Sequence, residues 1–219
     1  MLQELNKELT AKAARLVAVS KTKPEEDILR IYNEGQRLFG ENRVQEMAAK
    51  YEALPKDIEW HLIGRLQTNK VKYIAEFVGM IHSVDSLKLL KEINKQAAKH
   101  ERVIDILLQF HIAQEMTKAG FDLSTVRQIL SSEAYRDLNH IRVCGVMGMA
   151  TFTDDEAQVR KEFQDLKSIF EVLKQDFFAD QPAFKEISMG MSGDYQIAIE
   201  EGSTMVRIGS LIFGARNYG

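Results

Sequence analysis

Cysteine is nearly missing from this sequence. Cys144 stands alone among 219 residues, so no internal disulfide can form. It lies in the apolar run IRVCGVMGM, the setting of a small buried side chain. Proline is scarce too, at three residues, and no glycine- or serine-rich linker breaks the chain, so residues 1–219 are expected to form a single domain. No run approaches the roughly 20 apolar residues that span a bilayer. The opening MLQELNKELT has none of the apolar core of a secretion signal, and a cytoplasmic location is the expectation. Positive charge is not in excess either. A formal net charge of −3 argues against a general electrostatic grip on nucleic acid or an anionic membrane.

Several motifs are absent as well. No strand candidate is followed by G-x-G-x-x-G, and neither G-x-S-x-G nor a P-loop occurs. His61, His82, His100, His111 and His140 show no i, i+3 or i, i+4 pairing, and with one cysteine in the chain they do not read as a metal site. His61 is expected to line a pocket mouth, and the other four to be surface or satisfied core residues.

What the chain does have is alternation. RLVAVS precedes EEDILRIYNEG, RLFGEN precedes VQEMAAKYEAL, and EWHLIG precedes QTNKVKYIAEF. MIHSVDS then leads into LKLLKEINKQAAKH, and VIDILLQFHI into LSTVRQILSSE. IRVCGVMGM is followed by a helical stretch from about Asp155 to Phe178, FKEISMG by GDYQIAIEEG, and MVRIGSLIFG comes last. Apolar runs followed by amphipathic segments predict a parallel sheet with helices outside it. Eight such units make a (β/α)8 TIM barrel, whose usual size of about 250 residues nearly exhausts the chain. An open doubly wound sheet is the competitor, and it lacks its glycine fingerprint. The segment before Arg15 is an extra N-terminal helix. Val159, Phe163, Leu166, Phe170, Leu173 and Phe177 recur at steps of four and three, too few for a zipper and suited to a helix on the barrel wall.

In parallel β/α proteins the chemistry gathers where strands end. Ser20-Lys21 follows Leu-Val-Ala-Val with no glycine or turn between, which makes Lys21 the last residue of the first strand, on the face of Val17 and Val19. If that face points into the barrel, Lys21 is partly desolvated and its pKa lowered, as carbonyl-trapping amines require; an ion-paired structural lysine is the other reading. Lys23 differs. Thr22 and Glu25 have capping-box spacing with Pro24 between them, which places Lys23 at a helix start, solvated and dispensable. Met189-Gly190-Met191-Ser192-Gly193 ends the seventh strand just before a helix, and its uncovered amides and serine hydroxyl suit an anion. Gly209 and Ser210, after the eighth strand, add donors where this barrel commonly holds phosphate. Arg207 shares a face with Met205 and Gly209 and must find an acceptor, either an aromatic ring nitrogen or a carboxylate across the barrel. Asn42 either meets a ring hydroxyl or caps the next helix.

Together these stretches, VAVSKTKP, FGENRVQE, EWHLIGRLQTNK, IHSVDS, VMGMAT and SMGMSGDYQIAIEEGSTMVRIGSLIFGAR, resemble the pyridoxal phosphate homeostasis protein family. Its single barrel is similar to the N-terminal domain of alanine racemases. The resemblance implies that Lys21 carries pyridoxal 5′-phosphate (PLP) as an imine. It implies further that Ser192, with Met191 beside it and the backbone of Gly209 and Ser210, holds the phosphate. Arg207 would face the pyridine nitrogen, and Asn42 and His61 would line the pocket. The fifth strand departs from the family, with Phe110-His111 where a valine–asparagine pair is expected, while Lys118-Ala119-Gly120-Phe121 matches the usual pattern. Racemases of this type resemble a barrel plus a second domain that supplies a tyrosine acid/base, and one lysine is insufficient for proton transfer at both faces. The implied role is therefore PLP homeostasis and delivery to apoenzymes without substantial turnover, by a monomer. A PLP-dependent racemase or lyase is the alternative, and a barrel for another phosphorylated metabolite a third.

Overall fold

The computed structural model describes residues 2–114 and 119–214; Lys118, and Ala215 and Arg216 of the last matching stretch, lie outside the described residues. Eight strands close into a parallel barrel in chain order: β1 (Arg15–Val19), β2 (Leu38–Glu41), β3 (Glu59–Leu62), β4 (Met80–Val84), β5 (Ile104–Gln109), β6 (Ile141–Met147), β7 (Glu186–Met191) and β8 (Met205–Ile208). Closure comes from β8 lying beside β1, with Arg15 opposite Met205 and Ala18 opposite Ile208. The apolar runs are continuous because both strand faces are buried. Val17, Leu38, Met80, Leu107, Cys144, Met147 and Met205 pack inside the barrel. Leu16, Ala18, Phe39, Trp60 and Ile81, from the alternate faces, pack with the helices in the larger outer core. Burial pushes the Cys144 thiol up to about 12, so it is an inert core side chain, as its neighbours suggested.

The helices cover the outside. α1 (Leu2–Ala11) buries Leu2, Leu5 and Leu9, and Asn6 bonds the Gln36 side chain, which itself donates to the carbonyls of Leu16 and Leu38. α2 (Glu25–Asn33), α3 (Val44–Ala53), α4 (Leu87–Lys99), α5 (Leu123–Ser131) and α6 (Glu133–Arg136) follow in order. α7 (Glu156–Phe177) buries Val159, Phe163, Leu166, Phe170 and Leu173 against the barrel wall, which is where that spacing belongs. α8 (Tyr195–Glu200) and α9 (Ser210–Phe213) are short. The stretch QTNKVKYIAEF is not an α-helix: it forms a 3-10 helix, Thr68–Tyr73, continuing in turns. It buries Val71, Ile74 and Ala75, with Val78 buried just beyond it, and Arg102 donates to the carbonyls of Ala75 and Val78.

Candidate functional site

A cavity of about 470 Å³ opens at the end of the barrel where the strands finish. Lys21, Asn42, Met191, Ser192, Arg207, Gly209 and Ser210 all line it. These come from the ends of β7 and β8, from the segments that follow β1, β2, β7 and β8, and from the start of α9, so the strand-end rule gathered side chains that the fold does bring together.

Lys21 sits two residues past the strand, in a turn, because β1 ends at Val19. That turn is held from both sides. Lys50, on α3, donates to the Ser20 carbonyl (2.8 Å), to Glu41 (2.7 Å) and to Glu46 (2.7 Å). The Ser20 hydroxyl donates to the same Glu41 oxygen at 2.6 Å, and the Thr22 amide donates to Glu46 at 2.6 Å. Glu41 is fully buried; desolvation raises its pKa, and the charge and hydrogen bond of Lys50 and the bond from Ser20 oppose that rise. The expected capping box does not form. Thr22 has φ +63° and spends its amide on Glu46, and α2 starts only at Glu25 with Pro24 as its N-cap. Lys23 is therefore neither helical nor solvated: it lines the cavity, half-buried, and donates to the Phe213 carbonyl at 3.1 Å.

Asn42 does not cap α3, whose N-cap is Arg43. Its backbone is pressed against Gly64, where a Cβ would come within 2.3 Å of the Asn42 carbonyl oxygen, so only glycine allows the β2 and β3 ends to approach this closely. Gly190 acts similarly beneath the anion loop. It has φ +95°, and a Cβ there would meet the Ala198 methyl at 2.6 Å. In that loop the Met191 amide is committed to the Asp194 carboxylate, and the Gly209 amide donates to the Ser192 hydroxyl at 3.4 Å. Among the described residues the amides of Ser192, Gly193 and Ser210 donate to no protein group. Three such amides and two serine hydroxyls suit an oxyanion with several acceptors.

Arg207 is buried and donates to the Ser188 hydroxyl (2.6 Å) and the Gly148 carbonyl (3.0 Å). Desolvation lowers its pKa to about 10, which still leaves it charged at neutral pH. Among the described residues no carboxylate forms an ion pair with it, although the Asp194 carboxylate of the same cavity acts on it from farther off and partly opposes that fall; the direct acceptor across the barrel is a hydroxyl instead. Two of the five guanidinium N–H groups are used, leaving donors for a pocket ligand.

His61 is a correction. It does not line the cavity but lies fully buried beneath it, bonded to His82 and Glu59. β3 turns it inward at the level of Gly40 rather than at the strand end. Phe110 and His111 stay out of the cavity too, since Phe110 packs on Phe121 in the outer core and His111 is exposed. Sequence reasoning missed the loop after β6, where Met149, Thr151, Phe152 and Asp154 line the cavity and Glu162 of α7 pins Thr151 through its amide and hydroxyl. It missed Lys50 as well, although Met47, Lys50 and Leu54 share one helical face and a lysine amid buried apolar neighbours is itself a signal.

Residues 2–217 match the profile of the family described as "Alanine racemase, N-terminal domain". A "Pyridoxal phosphate homeostasis protein" of Aquifex aeolicus is 43% identical over 206 residues, covering 94% of this chain and 88% of that one. The chain belongs to the pyridoxal phosphate homeostasis protein family. The structure of PipY of Synechococcus elongatus "without PLP" matches with a TM-score of 0.89 at 35% identity, covering 97% of this chain and 98% of that one. The structure of PipY "with PLP bound" matches with a TM-score of 0.84 at 34% identity, covering 98% and 100%. An alanine racemase of Clostridium difficile, at 14% identity and a TM-score of 0.74, covers 99% of this chain and 55% of that one; it shares the fold.

Proposed function

We propose that this chain binds PLP through Lys21 and serves intracellular PLP homeostasis and delivery to apoenzymes, as a monomeric single barrel in the cytoplasm, without substantial turnover. The observation that carries the reading is that an amine, an anion cradle and a charged guanidinium line one cavity. The names of the relatives and the PLP-bound PipY structure support it. Among the described residues no helix is long and apolar enough to cross a membrane.

The donor set fits the cofactor. Ser192 and Ser210 offer hydroxyls, and the uncommitted amides beside them complete a cradle for a phosphate dianion. Asn42 faces the same space and suits a ring hydroxyl. PLP, when bound, supplies an aldehyde that a primary amine captures reversibly. Lys21 holds that amine at the rim, and the Lys50 cluster fixes its turn. Arg207 would meet the pyridine nitrogen of bound PLP without giving up its proton, which would leave the ring a weaker electron sink than one paired with a carboxylate. That favours holding over turnover.

Borohydride reduction of the PLP-loaded protein followed by peptide mapping tests the assignment. The label is expected on Lys21, and a label on Lys23, or none, defeats it. Incubation with L-alanine in deuterium oxide tests the second half, since rapid α-proton exchange with inversion would make the protein a racemase.

A further inference from the structure

Beneath the cavity floor a line of hydrogen bonds crosses the barrel interior from its opposite rim. Glu59, at the start of β3, lies 2.8 Å from His61 Nε2, and His61 Nδ1 lies 2.8 Å from His82 Nε2. His82 Nδ1 then meets the Ser188 hydroxyl at 2.9 Å, and that hydroxyl meets Arg207 at 2.6 Å. His61, His82 and Ser188 are wholly shielded from water, whereas half of the Glu59 side chain is exposed. These residues come from four strands, and none of the three buried ones touches the cavity.

The direction of the line follows from its ends. The bond from His61 lowers the pKa of Glu59, which is ionised at neutral pH and can only accept. Burial lowers the pKa of both histidines, so each is neutral and carries a single N–H. His61 must then donate from Nε2 to Glu59 and accept at Nδ1. His82 must donate from Nε2 to His61 and accept at Nδ1. Ser188 gives its proton to His82 and turns a lone pair to Arg207. Every link is satisfied in this one arrangement. Reversing any of them sets two donors or two acceptors face to face in a site with no water to relieve them.

We propose that Ser188, His82 and His61 are positioning residues for Arg207, forming a one-way line of neutral hydrogen bonds that aims its guanidinium into the cavity without bonding it directly to a carboxylate. A carboxylate at position 188 would hold the arginine equally well but would cancel its charge. The hydroxyl holds it and leaves the charge to the pocket ligand. The proposal rests on the reading of the cavity as a PLP site, and its first test does not.

In the first test, long-range proton–nitrogen spectra of the cofactor-free protein, labelled with nitrogen-15 in histidine, report both tautomers near neutral pH. His61 and His82 are expected as neutral Nε2–H forms, and an Nδ1–H form or an imidazolium at either overturns the line. In the second, PLP-loaded Ser188→Ala and Ser188→Thr are compared by their visible absorption band and their rate of PLP release. Ser188→Ala is expected to shift the band and speed release about fivefold or more, the effect of one lost hydrogen bond, while Ser188→Thr keeps the hydroxyl and stays within about twofold of the native protein. Equal loss in both variants, or loss in neither, refutes the positioning role. A native protein that takes up no PLP yet shows the expected tautomers would sink the PLP reading and support the line.

Discussion

Replacing Lys50 with methionine tests how the turn carrying Lys21 is held. The ammonium makes three bonds, to the Ser20 carbonyl, Glu41 and Glu46, from a side chain only 8% exposed. Glu41 is fully buried, and its second oxygen already has no hydrogen-bond partner. Without Lys50 it keeps a single bond, from the Ser20 hydroxyl. Breaking a buried pair by removing one member costs about 3–5 kcal/mol, because the remaining charge stays desolvated. At about 2–4 °C per kcal/mol for a chain of this size, the thermal midpoint should drop by roughly 6–20 °C. Urea denaturation followed by circular dichroism measures the loss directly. The sign with pH is fixed. Burial already raises the pKa of Glu41, and removing Lys50 raises it further. A carboxyl with a raised folded-state pKa favours the fold while protonated and loses that contribution as pH rises through the folded value. The deficit of Lys50→Met should therefore be greater near about pH 8 than near about pH 5. Adding Glu41→Gln removes the stranded charge and should restore most of the stability, while PLP retention stays weakened because the Ser20 carbonyl has lost its anchor and Glu46, which holds Thr22, has lost its bond to Lys50. A single variant that costs less than about 1 kcal/mol, or a double variant as unstable as the single, would refute this account of the turn.

Other consequences are as direct. Ser192→Ala removes a hydroxyl from the anion cradle and should weaken PLP binding about 10- to 100-fold, the range for a hydrogen bond to a charged group, as read by equilibrium dialysis; unchanged affinity would place the phosphate elsewhere. Gly64→Ala sets a methyl group within 2.3 Å of the Asn42 carbonyl oxygen, so it should lower both the melting temperature and PLP affinity, and a variant that matches the native protein in both would refute the close approach. His82 is held neutral by burial, well below its ordinary pKa, whereas in the unfolded chain it takes up a proton near pH 6.5. The unfolded state therefore binds more protons below that pH, and stability falls on acidification by about 1.4 kcal/mol per pH unit for this group. His82→Gln should flatten the dependence below about pH 6.5 relative to the native protein, and identical slopes in urea titrations would count against a neutral buried His82.

The barrel was legible because its signal is local. Runs such as Leu-Val-Ala-Val and Ile-Leu-Leu are apolar on both faces and are followed by helical stretches, and one strand after another obeys the same rule. The cavity lining was legible for a related reason: Lys21, Asn42, Ser192 and Ser210 each follow a strand end closely, so finding the strands found them. What stayed hidden depends on partners that only the folded chain supplies. Thr22 and Glu25 have capping spacing, yet the Thr22 amide finds Glu46, 24 residues away, and the cap is lost. His82 and Ser188 are 106 residues apart, and nothing in either segment announces the other. The strand-end rule puts His61, in the third strand shortly before Gly64, at the mouth. Yet inward-facing positions on one barrel strand lie at different depths, and only those near its end reach the opening. For β3 that position is Ile63, just past the strand end and two residues beyond His61, and it is Ile63 that lines the cavity. The side chains that meet a ligand could thus be found from strand ends alone, whereas those that hold Arg207 and Lys21 in place required the closed barrel.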